Sequence, residues 1–179
     1  MLYCLREVEF FMNTKRITRT ALLIAMLVAV QYATKSLGQI VTGSCVNLIL
    51  AVTALVCDVW CGSVVALISP FCAFLLGIGT PILRLVPAIA LGNLVFVLLL
   101  SIRRSGRKRE MLRVVPAAVC KFLLLWALIV KLLLPAMGLP AEKVAALSAA
   151  FSYPQLLTAL LGGVLALLIV PAIRAALDE

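Results

Sequence analysis

The chain has 179 residues, of which 65% are apolar, with a mean hydropathy of +1.22 and a formal net charge of +9. Water-soluble domains are less apolar than this, whereas a helix that crosses a bilayer needs roughly 20 apolar residues in succession. These totals exclude a soluble domain of useful size and predict an integral membrane protein of the cell membrane.

Six apolar segments of suitable length follow one another along the chain. Their predicted limits are 17–32, 41–57, 63–76, 82–100, 114–134 and 153–173. We expect Asp58, Trp60 and Gly62 to form a tight hairpin between the second and third spans, and Pro87 to kink the fourth. The loop before the last span is expected to be partly helical over 141–149. The predicted fold class is an all-α integral membrane bundle of six transmembrane helices.

The distribution of basic residues predicts the orientation of this bundle. Ten basic residues lie on the side that holds both termini: Lys15, Arg16, Arg19, Arg103, Arg104, Arg107, Lys108, Arg109, Arg113 and Arg174. Four lie on the opposite side: Lys35, Arg84, Lys131 and Lys143. Since basic residues near span ends are retained in the cytoplasm, both termini are predicted to be cytoplasmic. The expected parts are a cytoplasmic or interfacial segment (1–16), the membrane domain (17–173) and a cytoplasmic tail (174–179).

The residue types argue against catalysis. The chain has no histidine, and its seven acidic residues all lie at or outside the ends of the spans. It also lacks a nucleophile elbow and a phosphate-binding glycine loop. We therefore expect no enzyme activity, no cofactor and no metal site, and the topological role of the basic residues argues against nucleic acid as a partner. The six cysteines are interpreted as packing residues without a disulfide.

Small residues recur every four positions in the first span, at Ala21, Ala25 and Ala29. This spacing produces a smooth stripe on one face of a helix, which allows another helix to approach closely. Two interpretations remain open at this point. The stripe could serve packing within the bundle, or it could be a docking face for a second membrane protein.

Polar residues collect near the outer ends of the spans and suggest a small pocket capped by three loops. They are Gln31, Lys35, Gln39, Thr42, Ser44, Asn47, Arg84, Asn93, Ser148, Ser152, Tyr153 and Gln155. For each residue taken alone, a hydrogen bond between helices or a contact with lipid headgroups is an alternative role. Lys131 and Lys121, both in the fifth span, are expected to extend their ammonium groups toward the outer and the cytoplasmic end respectively.

With these features the chain resembles the substrate-binding (S) component of energy-coupling factor (ECF) transporters, which import micronutrients into bacteria and archaea. The resemblance covers nearly the whole chain: its size, its six spans, the leading TKRITRTALLIAMLVAVQ, and the glycine and proline breaks before the fourth span. It implies that the protein captures a vitamin-like solute at the outer face. It also implies association with a transmembrane coupling subunit and two cytoplasmic ATPases, and a reorientation of the protein in the bilayer that releases the solute inward.

The same resemblance implies which residues act. In that family the small-residue pattern of the first helix meets the coupling subunit, and the matching positions are Ala21, Ala25 and Ala29. The family's substrate site is built from the outer ends of spans four to six and the first loop. The implied substrate-binding residues are Gln39, Asn47, Arg84, Asn93, Lys131, Ser152 and Gln155.

The outer side carries four basic residues and one acid, Glu142. By charge complementarity, a cationic solute such as thiamine is disfavoured, whereas a neutral or carboxylate-bearing one such as folate, pantothenate, nicotinate or biotin fits better. Two other functions remain as alternatives. A small six-span structural or scaffold protein would have the same size and topology without transport, and a membrane enzyme is the less supported of the two.

Overall fold

A computed structural model describes the backbone of residues 2–102 and 107–178, and the side chains of 14–102 and 111–176. Five basic residues that enter the topology count, Arg103, Arg104, Arg107, Lys108 and Arg109, have side chains outside the described residues. The side chains of the N-terminal residues 1–13 also lie outside them.

Helices account for almost all of the described backbone, which contains no β-strand. The helices are α1 (Leu2–Thr34), α2 (Gln39–Val56), α3 (Val59–Leu75), α4 (Val86–Ser101), α5 (Arg107–Leu125), a π-helical segment (Trp126–Leu133), α6 (Leu134–Ala136), α7 (Ala141–Ala150) and α8 (Tyr153–Asp178). Within the part of the chain that the structure describes, five stretches are long and apolar enough to cross a membrane, and α3 is a shorter apolar helix. The predicted all-α class is confirmed, and six spanning helices fit this arrangement.

The turn between α2 and α3 is shorter than predicted. The Asp58 carboxylate accepts a hydrogen bond from the backbone N–H of Cys61 at 2.8 Å, which caps α3 at its first turn. Because this cap starts the helix at Val59, Trp60 and Gly62 belong to α3. The prediction that these two residues form part of the hairpin is wrong.

The prediction that Pro87 kinks the fourth span is also wrong. Pro87 lies in the first turn of α4, where its missing N–H would have had no partner within the helix. The chain reaches this helix through a loop in which Gly77 and Gly79 adopt φ values of 66° and 84°, a left-handed conformation that favours glycine. The break before the fourth span therefore lies in this loop and not inside α4.

Two adjacent glycines allow α8 to pack closely in the centre of the bundle. A Cβ atom on Gly162 would lie 2.6 Å from the Cβ of Asn47 and from the backbone nitrogen of Leu48, so α2 and α8 are in contact through their backbones. A Cβ atom on Gly163 would lie 2.5 Å from a methyl group of Val114 on α5. Small residues are the usual means of such close approach between membrane helices. The contact fixes the position of Asn47 in the interior.

Polar contacts at one end of the bundle involve basic side chains. Arg16 forms an ion pair with Asp58 at 2.9 Å, Arg174 donates to the carbonyl of Leu55 at 2.8 Å, and Arg113 donates to the carbonyl of Ile102. Next to this end, large apolar side chains including Leu50, Phe96, Val97 and Leu100 fill the interior. The space that remains open inside the bundle lies toward the opposite end.

Candidate solute-binding cavity

A cavity of about 600 Å³ lies at the end of the bundle away from the Asp58 turn. Its wall is formed by the end of α1, the start of α2, the end of α3 with the loop after it, the first half of α4, residue Lys121 of α5, the second half of α7, and Gln155 at the start of α8. Sites for small molecules in proteins typically measure roughly 300–1,000 Å³. The cavity is therefore large enough for one small organic solute.

Most of the cavity wall is apolar, with Phe74, Ile78, Ile89 and Phe151 among its larger side chains. The polar and charged side chains in the wall are Gln31, Lys35, Gln39, Thr42, Asn47, Thr80, Asn93, Lys121 and Gln155. An apolar wall with a few placed polar groups is typical of a site that binds a solute in one orientation.

Lys121 lies at the floor of this cavity, between α2 and α4. Its side chain is 2% exposed, and its Nζ atom donates to Asn47 Oδ1 at 2.5 Å and to Asn93 Oδ1 at 2.7 Å. The ring centroid of Phe96 is 5.3 Å from the same nitrogen, within the range of a cation–π contact. The prediction that Lys121 extends toward the cytoplasmic end is wrong, because two amide oxygens in the interior take the place of water around its nitrogen.

A second layer of hydrogen bonds orients Asn47 toward the lysine. Its amide nitrogen donates to the carbonyl of Gly43 at 2.9 Å and to Thr158 Oγ1 at 3.3 Å. With the nitrogen engaged in this way, the Oδ1 atom faces Lys121. The floor is thus assembled from three helices and supported by α8, which carries Thr158 and the Gly162 contact.

Glutamine side chains join the loops at the mouth of the cavity. Gln39, at the start of α2, donates to the carbonyl of Ala150 at 2.7 Å, and Gln155 donates to the same carbonyl at 3.3 Å. These bonds connect the first loop to the turn between α7 and α8. These two bonds therefore hold together two of the segments that line the cavity.

Two polar atoms in the wall have no hydrogen-bond partner within the described residues. They are Gln31 Oε1 and Thr80 Oγ1, both buried. A buried polar atom without a partner costs about 1–3 kcal/mol, so a hydrogen bond from a solute to either atom would be favourable.

The structure brings four of the seven predicted substrate-binding residues together in the cavity: Gln39, Asn47, Asn93 and Gln155. The other three lie outside its wall. Arg84 is exposed in a short 3₁₀ turn, the Lys131 Nζ atom lies 4.8 Å from the ring centroid of Trp126, and Ser152 donates to the carbonyl of Ser148 at 2.5 Å.

Sequence reasoning missed Lys121 as a site residue. The available signal was a lysine within an apolar span, together with Asn47 and Asn93 within two other spans, since polar groups inside a membrane tend to face the bundle interior and pair there.

The small-residue stripe on α1 lies on the surface of the bundle. Ala21, Ala25 and Ala29 are all exposed, whereas Leu27 on the same helix is buried in the core. Packing among the described residues therefore leaves the stripe uncovered.

A helical membrane bundle whose interior holds a small-molecule cavity above a filled core has the architecture of a membrane solute-binding protein. The chain matches the family model described as "ECF transporter, substrate-specific component" over residues 15–174. Because this match covers most of the chain, the protein belongs to that family. No curated protein and no solved structure gives a significant match to the chain.

Family membership defines the general role of the protein. It is a substrate-binding, multi-pass subunit of an ECF transporter in the plasma membrane, and it couples with transmembrane and ATPase subunits. Substrate-specific components are binding subunits and not enzymes.

Proposed function

We propose that this protein captures a vitamin or related micronutrient from the extracellular side for an ATP-driven importer. The observation that carries the proposal is the cavity, with Lys121, Asn47 and Asn93 at its floor and glutamines at its mouth. Its volume and mixed lining suit a small organic molecule with a polar end and an apolar body. A six-span scaffold protein without a transport role would have no use for such a cavity.

The charge distribution supports an extracellular mouth. The cavity lies at the end of the bundle that carries Lys35, Arg84 and Lys143, and the described basic residues Arg16, Arg113 and Arg174 lie toward the opposite end. The ten-to-four excess of basic residues favours the cytoplasm for the end with the termini. In this orientation residues 1–16 and 174–179 lie on the cytoplasmic side.

The exposed stripe of Ala21, Ala25 and Ala29 supports docking on the coupling subunit. Alanines on a lipid-facing helix surface let a partner helix approach closely, and this chain leaves them uncovered. The sequence carries no phosphate-binding glycine loop, so the energy for uptake would come from two ATPases in the partner complex.

A binding screen on the purified protein tests the proposal. The full chain, in detergent or nanodiscs, is tested against vitamins of each charge class by thermal shift, and hits are confirmed by equilibrium binding. We expect saturable one-to-one binding of at least one compound. Failure of neutral, cationic and anionic vitamins alike to bind or to stabilise the protein would contradict the proposed function.

A further inference from the structure

We propose that the solute carries a carboxylate group, and that this group binds the ammonium of Lys121 at the floor of the cavity. The inference rests on the proposed function, because it names the chemistry of the solute that the same site would hold. It assigns the recognition of charge to Lys121, which is not among the substrate-binding residues predicted from the sequence.

The first argument is the charge balance of the cavity. Its described lining contains two lysines, Lys35 and Lys121, and no Asp or Glu. The two acidic residues whose side chains are described both lie elsewhere: Asp58 pairs with Arg16 at the other end of the bundle, and Glu142 is exposed on α7. A buried ammonium with only neutral amide partners lacks the opposite charge that normally offsets its loss of hydration. An anionic solute would supply that charge.

The second argument is the number of hydrogen bonds at the floor. A lysine ammonium has three donors, and two of those on Lys121 are used by Asn47 and Asn93. Lys121 also lines the cavity, and among the described residues its third donor has no acceptor, so this donor is available to an acceptor on the solute. One carboxylate oxygen can occupy that position without displacing either asparagine.

The third argument distinguishes a carboxylate from a phosphate group. Phosphate binding in proteins usually relies on several donors, often a bidentate arginine. The described cavity lining has no arginine, and Lys121 is the only cation at its floor. The lining also includes the apolar side chains Val46 and Ile89. This combination suits a single negative charge on a largely apolar body.

The wild-type protein alone can test the charge requirement with matched pairs of compounds. The pairs are nicotinate with nicotinamide, pantothenate with pantothenol, and biotin with its methyl ester, with riboflavin, thiamine and pyridoxal phosphate as compounds of other charge. We expect one acid to bind at least about 10-fold more tightly than its uncharged partner, the effect of losing one charge-assisted hydrogen bond. Because no variant is involved, this comparison does not depend on whether a substituted protein folds.

Two variants then test whether Lys121 is the residue that binds the carboxylate. Lys121→Gln removes the ammonium but retains a hydrogen-bond donor, and Lys143→Gln makes the same change on an exposed residue outside the cavity lining. In Lys121→Gln the affinity for the acid should fall to the affinity that the wild type has for the uncharged compound of the same pair. Lys143→Gln should bind both compounds as the wild type does. The melting temperature of each ligand-free variant reports any structural effect separately.

The outcomes separate this inference from the proposed function. Tight binding of a neutral, cationic or phosphorylated compound in preference to every acid would leave the proposed function in place and overturn the carboxylate assignment. An acid preference that persists in Lys121→Gln would overturn the role of Lys121. If no compound of any charge class binds, the proposed function fails and this inference fails with it.

Discussion

Replacing Gly162 by alanine tests whether the contact between α2 and α8 positions the floor of the cavity. The added Cβ would lie 2.6 Å from Asn47 Cβ and from the backbone nitrogen of Leu48. Ordinary carbon contacts are roughly 3.5–4.0 Å, so the two helices would have to separate by about 1 Å. The obstacle includes main-chain atoms, which cannot move aside by changing a rotamer.

Gly163→Ala is a matched control because it makes the same change one residue further along α8. Its added Cβ would lie 2.5 Å from the end of the Val114 side chain and would meet no other helix backbone at that distance. Both variants gain the same helix propensity, about 1 kcal/mol, so this gain cancels in the comparison. Overpacking typically costs about 1–3 kcal/mol, and we expect Gly162→Ala to be the less stable variant by an amount within that range.

The effect on binding follows from the position of Asn47. A displacement of Asn47 by about 1 Å would disturb both the hydrogen bond that its Oδ1 accepts from Lys121 at 2.5 Å and the one that its amide nitrogen donates to Thr158. A hydrogen bond to a charged group contributes about 1.5–3 kcal/mol, so the affinity for the solute should fall by roughly 10-fold or more in Gly162→Ala. Melting temperature and equilibrium binding measure the two effects. If Gly162→Ala matched Gly163→Ala in both stability and affinity, the reasoning from this helix contact would be refuted.

Three further predictions concern the docking face, the mouth and the opposite end. Ala25→Trp should impair assembly with the coupling subunit and uptake, while solute binding by the isolated protein is spared. Leu22→Trp, at another exposed position of α1, is the control. Normal assembly of Ala25→Trp would count against the docking face. Gln39→Leu removes the 2.7 Å bond to the Ala150 carbonyl, so the solute should dissociate roughly 2–10-fold faster in stopped-flow measurements, and an unchanged rate would exclude this bond as a restraint on the mouth. Asp58→Ala should lower the free energy of unfolding by about 0.5–2 kcal/mol, because the cap of α3 is lost. Asp58→Asn should lower it by less, because the amide retains the capping oxygen. If the two variants lowered the free energy of unfolding equally, the effect would belong to the ion pair with Arg16 and not to the cap.

The architecture was predictable because the bilayer restricts what a chain can do. A spanning segment must be helical and long enough to cross the hydrocarbon, so apolar length alone locates the spans. The errors in the predicted architecture lie at the ends of helices, because single contacts determine the residue at which a helix begins. The Asp58 cap brought Trp60 and Gly62 into α3, and the start of α4 at Val86 placed Pro87 in a first turn.

The site was predictable only in part. The sequence indicates how deep in the membrane a residue lies, but it indicates less well which direction the side chain faces around the helix axis. Gln39, Asn47, Asn93 and Gln155 line the cavity, as expected for polar residues near the outer ends of spans. Lys121 and Lys131 occupy the same span, yet one is buried at the cavity floor and the other is exposed. Their difference depends on which neighbouring helix each faces, and that is determined by packing across the bundle.

Native mass spectrometry of the purified full chain, after exposure to a mixture of vitamins, tests the central claim most directly. The wild-type protein should retain one small organic molecule per chain, and the Asn93→Leu variant, which removes one of the two oxygens that hold Lys121, should lose it while remaining folded by circular dichroism. A wild-type protein that retains nothing, or a folded variant that retains the same mass to the same extent, would contradict the account of this cavity as the solute site.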